Sequence, residues 1–287
     1  MKSLRGTGVA LITPFTQDLA VDYDSLKKLL HFTLEGGVDY LVVNGTTAES
    51  PTTSDLEKEE ILAFVKKFTA GKVPLVYGIG GNYTQQIVNT IRLTDFTGVA
   101  AILSVSPYYN KPSQQGLYQH FVEIAQACPV PVILYNVPGR TVSNLTAETT
   151  LKLAKHPNIV GIKEASGNLE QCLQIIKHKP ADFMLISGDD MLTVPMISFG
   201  AEGVISVLAN AFPEKFCQMV KLALANNFQD ATQILFQFTD INPLMYEESN
   251  PVGIKAVLEM LGIARPHVRL PLIDATMALK TKLQKLL

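Results

Sequence analysis

Lys163 ends the apolar run Ile159-Val-Gly-Ile162, in the segment "GIKEAS" at 161–166. On a strand, Gly161, Lys163 and Ala165 share one face and Glu164 takes the other. An ammonium on a buried face is costly to desolvate unless it is paired or reacts. Enclosure lowers a lysine pKa, to roughly 7–8 in favourable cases, and makes a neutral amine available. Such an amine attacks a ketone to give a Schiff base. The iminium then acidifies the neighbouring carbon and an enamine follows. This is how an aldolase makes a carbon nucleophile without a metal. A phenol suits the proton transfers at the carbinolamine stage, and Tyr135 closes another apolar run, Pro131-Val-Ile-Leu-Tyr135.

Other polar residues fall at the ends of similar runs. "NGTTAES" (44–50) offers hydroxyls and N–H groups that hold a carboxylate, although Gly-Thr-Thr is equally an ordinary turn. "SPYYN" (106–110) pairs two tyrosines, which alone reads as packing or a subunit contact. Arg140 follows Tyr135 on a loop. Its planar fork matches a carboxylate, and in isolation it is a solvated cation. Lys163 also has a structural reading, an ion pair with Glu164 or Asp189, which the opposite face of Glu164 weakens. Each structural reading is sound singly. A lysine, a tyrosine, two threonines and an arginine at successive run ends together favour a site.

Metal chemistry would require histidine or carboxylate ligands at those ends. His31, His120, His156 and His178 instead lie in or at the ends of helical patterns, and His267 lies near the carboxyl end. A phosphate-bearing cofactor would want a glycine-rich turn after a seventh or eighth strand. "FGAEGVIS" (199–206) precedes the eighth and is a poor candidate. The expectation is no metal, PLP or flavin.

Eight apolar runs must position these groups: 9–12, 40–43, 74–77, 100–103, 131–135, 159–162, 183–186 and 203–207. They are rich in β-branched residues and nearly unbroken, as strands buried on both faces should be. Helical patterns alternate with them. Asp24 to Glu35 puts Leu26, Leu29, Leu30, Thr33 and Leu34 on one stripe before Gly36-Gly37. Further patterns span 54–68, 84–97, 113–128, 146–156, 169–179 and, more weakly, 193–200. The alternation predicts an α/β fold, a (β/α)8 TIM barrel with a C-terminal helical region. Periodicity alone leaves an open doubly wound sheet standing. The expected division is a catalytic barrel over 1–225 and helices over 226–287. In a barrel, chemistry sits at the carboxyl ends of the strands, where these polar residues fall.

The chain has 287 residues, 47% of them hydrophobic, and a formal net charge of −2. That permits a large core and lends no support to nucleic-acid binding. No run approaches the ~18 apolar residues of a membrane span. "MKSLRGTGVALITPF" reads as a first strand rather than a signal peptide. The scattered Cys128, Cys172 and Cys217 suit reduced thiols in a cytoplasm. A small-molecule partner is expected.

The motifs "GTGVALITPF", "GTTAES", "SPYYNKPSQQGLYQHF", "YNVPGRT", "GIKEASGN", "SGDD" and "NPVGIKAVLEMLG", with "RLPL" at 269–272, cover nearly the whole chain. In combination they resemble the dihydrodipicolinate synthase family. The resemblance implies a lyase of the (β/α)8 fold. It condenses pyruvate with aspartate-4-semialdehyde in the diaminopimelate route to lysine, with no cofactor beyond a covalent pyruvate imine on lysine. By that resemblance Lys163 forms the Schiff base and Tyr135 moves its protons. Thr46 and Tyr109 complete a hydroxyl relay, with Tyr109 entering from a neighbouring subunit. Thr47 holds the pyruvate carboxylate, Arg140 receives that of the semialdehyde, and Gly188 and Ile205 line the site. The implied assembly is a homotetramer built as a dimer of dimers, some members stopping at the dimer. The implied lysine-feedback site comprises Ser50, Pro51, Asp55, Lys58, Asn82, Gln86 and Tyr108.

Two departures matter. Ala48 replaces the usual glycine of "GTTGES", so that backbone is expected not to need one. Lysine-sensitive members carry histidine at Lys58 and glutamate at Gln86. Here an anion is lost and a cation gained, so weak feedback is expected. The Lys–Tyr pair equally serves N-acetylneuraminate lyase or a 2-keto-3-deoxy sugar acid aldolase, but Arg140 and "YYN" favour a short acceptor with a carboxylate. A non-catalytic binding protein on the same barrel would be marked by loss of the lysine or tyrosine, and both are present.

Overall fold

The computed structural model describes residues 4–287. Eight strands run in chain order: β1 (Gly6–Ala10), β2 (Tyr40–Val43), β3 (Leu75–Gly78), β4 (Ala101–Val105), β5 (Val132–Asn136), β6 (Ile159–Glu164), β7 (Met184–Ser187) and β8 (Gly203–Ser206). Neighbours pair in parallel, and β8 pairs back to β1, so the sheet is a closed barrel rather than an open one. Parallel neighbours need a crossover, and helices supply it. Those at Tyr23–Glu35, Asp55–Thr69, Thr84–Leu93, Gln114–Ala127, Ala147–Leu153, Leu169–His178, Thr193–Ser198 and Pro213–Leu224 follow the strands in turn. Their starts are written in the sequence. Asp22, Ser113, Thr146 and Asn168 accept hydrogen bonds from first-turn N–H groups, and Ser54 with Glu57 forms a capping box.

Alternation along each strand divides the apolar residues between two cores. Leu41, Leu75, Ile102, Leu134, Ile162 and Leu185 face outward into the layer between strands and helices. Val42, Val76, Leu103, Ile133, Met184 and Ile205 fill the barrel interior. Tyr40 also points inward and is fully buried. It fits because Gly8 faces it: a Cβ at Gly8 would lie 2.2 Å from the Tyr40 ring.

Beyond Leu224 the chain is helical, with longer elements at Phe228–Phe236, Val252–Met260 and Met277–Gln284. This region reaches back to the loop after β2. Among the described residues no helix is long and apolar enough to cross a membrane.

Candidate active site

Lys163 and Tyr135 are register partners on β6 and β5. Both are buried, and Lys163 Nζ lies 4.4 Å from the centroid of the Tyr135 ring. Gly161, Lys163 and Ala165 share the inner face, as the alternation requires. Glu164 takes the outer face. Its carboxylate accepts from Asn136 Nδ2 at 3.1 and 3.0 Å, from the Ser166 N–H at 2.8 Å and from Gln171 Nε2 at 2.9 Å. Asp189 Oδ1 accepts from the Met191 and Leu192 N–H groups. Both carboxylates that could have made Lys163 a structural ion pair are therefore engaged elsewhere. Gly188, after β7, lies against the lysine: a Cβ there would stand 3.0 Å from Lys163 Cε and 2.7 Å from Ala165 Cβ. Glycine thus leaves the amine room. Ile205 on β8 belongs to the same interior cluster as Tyr135.

The loop after β2 starts with Asn44 at φ 61°, its Nδ2 donating to the Gly78 carbonyl at 2.9 Å. A Cβ at Gly78 would lie 2.2 Å from the Asn44 oxygen, so β3 must end on glycine for this loop to cross it. Thr46–Ala48 form one 3₁₀ turn. Ala48 sits in ordinary right-handed backbone, and the left-handed residue is its neighbour Glu49 at φ 57°. Thr47 is buried and its Oγ1 accepts from Asn250 Nδ2 at 3.0 Å.

A cavity of about 450 Å³ opens beside the pair. Thr46, Tyr135 and Arg140 are on its wall, together with all seven residues of the implied effector site. Catalytic and effector candidates therefore share one continuous space in the single chain. Lys163, Thr47, Gly188 and Ile205 are not on this wall; Tyr135, which is, carries Lys163 against its ring.

Tyr109 stands apart. It is 89% exposed and has φ 72°. The Asn110 N–H donates to the Tyr108 carbonyl at 2.9 Å, closing a γ-turn of the strained hand around Tyr109. Asn82 Nδ2 donates to the Tyr108 carbonyl and Asn110 Nδ2 to that of Asn82, which brace the turn. Strain of this kind on a large side chain concentrates at functional positions. Within its own chain Tyr109 does not line the cavity.

Sequence reasoning missed four residues here. Asn250 and Lys255 lie in "NPVGIKAVLEMLG", a motif of the expected C-terminal helical region to which no site role was attached. Lys255 Nζ pairs with Glu49 Oε1 at 2.5 Å. Burial pulls Lys255 down to about 8, with Glu49 opposing that shift. Asp190 Oδ2 accepts from the Val207 and Leu208 N–H groups, whereas Oδ1 is buried without a partner. Burial pushes its carboxyl up to about 6. Burial, followed by the Asp190 and Asp189 charges, pushes the Tyr246 phenol up. The available signals were a lysine inside the apolar run "PVGIKAVL" and the aspartate that ends "SGDD".

The chain matches the model of the Dihydrodipicolinate synthetase family over residues 3–287. It belongs to that family. A family relative from Cytophaga hutchinsonii, named 4-hydroxy-tetrahydrodipicolinate synthase, is 56% identical over 285 residues, covering 99% of this chain and 96% of the relative. Among solved family members, the chloride-inhibited dihydrodipicolinate synthase from Acinetobacter baumannii, complexed with pyruvate, has a TM-score of 0.96 at 35% identity, covering 99% of this chain and 97% of that one. The enzyme from Cyanidioschyzon merolae with lysine bound has a TM-score of 0.94 at 39% identity, covering 99% and 97% respectively.

Proposed function

We propose that this chain condenses pyruvate with L-aspartate-4-semialdehyde through a Schiff base on Lys163, giving 4-hydroxy-tetrahydrodipicolinate on the diaminopimelate route to lysine. The observation that carries the reading is Lys163 on the inner barrel wall, with Tyr135 as its neighbour and its candidate carboxylate partners engaged elsewhere. The relatives' names and their coverage of nearly the whole chain support the substrate pair.

The neutral amine of Lys163 attacks C2 of pyruvate. Tyr135 carries protons as the carbinolamine loses water to the imine. Loss of a C3 proton gives the enamine, and C3 bonds to the aldehyde carbon of the second substrate. The semialdehyde's amino group then displaces Lys163 from C2, which closes the ring and frees the lysine. Thr47 and the loop backbone hold the pyruvate carboxylate, and Gly188 and Ile205 bound its methyl side. Arg140 on the cavity wall receives the semialdehyde carboxylate by a two-pronged hydrogen bond. Thr46 and a Tyr109 supplied by a second copy relay protons between Tyr135 and solvent. The exposed, strained Tyr109 supports an obligate pair of chains, and a tetramer follows if two such pairs associate. The covalent imine is the sole activated species this scheme requires. The division into a barrel to residue 225 and helices from 226 belongs to the same reading, with the helices closing one side of the site. We place the reaction in the cytoplasm, where three buried free thiols remain reduced.

A sugar-acid aldolase would use the same Lys163 and Tyr135. Arg140 on the wall favours an acceptor that carries a carboxylate. Incubation with pyruvate and borohydride, followed by peptide mapping, tests the chemistry. A reduced pyruvyl adduct is expected on the Lys163 peptide and is lost in Lys163→Ala. An adduct elsewhere, or none, sinks the proposal. Turnover of sialic acid in preference to the semialdehyde would shift it to the sister activity.

A further inference from the structure

Asn250 precedes the helix Val252–Met260 and lies 203 residues along the chain from Thr47. Its side chain is buried, and among the described residues it makes one hydrogen bond, Nδ2 to Thr47 Oγ1 at 3.0 Å. Its Oδ1 is buried with no partner. A buried amide with its oxygen unpartnered is a desolvation cost with little structural return. An apolar side chain of similar volume would pack there without it.

The return lies in the direction of the bond. A hydroxyl carries one proton and two acceptor sites. With Asn250 Nδ2 donating to Thr47 Oγ1, the Thr47 proton turns away from Asn250, and among the described residues it has no protein acceptor. Thr47 is thereby fixed as a donor. Two residues along, Glu49 is gripped by Lys255 Nζ at 2.5 Å and by the Arg269 N–H at 3.0 Å. The C-terminal region therefore fixes both the position of this loop, through Glu49, and the polarity of its hydroxyl, through Asn250.

We propose that Asn250 is a positioning residue for the keto acid. It aims the Thr47 hydroxyl at the substrate carboxylate and so sets the pyruvate concentration the site requires, without touching the reacting carbon. This rests on the Schiff-base reading above and assigns that site a residue outside the barrel strands.

The test is borohydride trapping at graded pyruvate in the wild type, Asn250→Ala, isosteric Asn250→Asp, Thr47→Val and the Thr47→Val/Asn250→Ala pair. Loss of one directed hydrogen bond to a charged group raises the half-saturating pyruvate in Asn250→Ala roughly tenfold, with the maximal trapping rate near that of the wild type. Asn250→Asp raises it further, because the carboxylate accepts the Thr47 proton and repels the substrate anion. In the Thr47→Val background Asn250→Ala adds no more than about twofold. Thermal unfolding checks each variant, and the isosteric one carries the test if Asn250→Ala does not fold. An unchanged half-saturation, or a full Asn250→Ala effect without the Thr47 hydroxyl, overturns this assignment alone. No adduct in the wild type removes the Schiff-base reading and this inference with it.

Discussion

Lys255 Nζ lies 2.5 Å from Glu49 Oε1, and both side chains are sealed from solvent. The ammonium also donates to the His267 carbonyl at 2.7 Å and sits 4.2 Å from the Phe15 ring centroid. Glu49 Oε2 accepts the Arg269 N–H. Both charges are thus multiply satisfied, and removing one partner strands the other. Lys255→Met is expected to cost about 3–5 kcal/mol in urea unfolding, with part recovered in Lys255→Met/Glu49→Gln. The pH slope has a definite sign. The folded group titrates near 8 against an ordinary value of 10.5, so between those values the unfolded chain holds more protons. This site's contribution therefore rises with pH from about 8 to 10.5, and Lys255→Met should lack that slope.

The barrel was legible because its strands are buried on both faces. Each appears as a compact apolar run, and seven of the eight shift by no more than two residues at either end; the first begins at Gly6 rather than Val9. Caps marked most helix starts, whereas two ends were overrun by three or more residues. The helix expected to reach Thr97 stops at Leu93, because Thr94 turns extended and Asp95 Oδ1 takes the Thr97 N–H. The helix expected to reach His156 stops at Leu153, leaving His156 in the turn before β6. Lys163 and Tyr135 were visible as polar residues ending apolar runs, so one face of the candidate site could be read. The pairing of Asn250 and Lys255 with the loop after β2 could not, since those partners lie 203 and 206 residues away and leave no periodic trace.

Asp190 gives stability a second pH dependence. Its folded value is about 6 against 3.8, so its proton is retained in the folded chain over that interval. The stability it contributes is complete below 3.8 and is lost as pH rises through about 6. Asp190→Asn keeps an acceptor for the Val207 and Leu208 N–H groups without burying a charge. The variant's unfolding free energy relative to wild type should improve by roughly 2–3 kcal/mol between pH 4 and pH 8. A difference independent of pH would refute the assignment.

Tyr109 leads to a complementation experiment. If it acts in a partner's site, Tyr109→Phe lowers turnover by about 10²-fold or more, while Lys163→Ala abolishes it. Each variant alone is then nearly inactive. In a mixed pair, one site combines an intact Lys163 with an intact Tyr109 from across the interface. Random reassortment should restore about a quarter of wild-type activity. No recovery, despite mixed pairs demonstrated by native mass spectrometry, would mean that Tyr109 serves its own chain or none.

The residues of the implied effector site line one face of the cavity. Lys58 Nζ pairs with Asp55 Oδ1 at 3.1 Å, and both line the cavity with Gln86 and Tyr108. An incoming lysine ammonium meets a fixed cation whose neighbouring carboxylate is already occupied. At Gln86 it finds an amide rather than the carboxylate that would neutralise it. Repulsion between like charges at ~4 Å in a partly buried site is on the order of 4 kcal/mol, enough to remove most of a millimolar affinity. We therefore expect turnover to be unaffected by sub-millimolar lysine, and calorimetry to detect no binding there. Lys58→His/Gln86→Glu removes the cation and supplies the anion, so it should acquire lysine binding while the uninhibited rate stays near wild type. Strong inhibition of the unaltered enzyme would show that charge at these two positions does not govern the effector site.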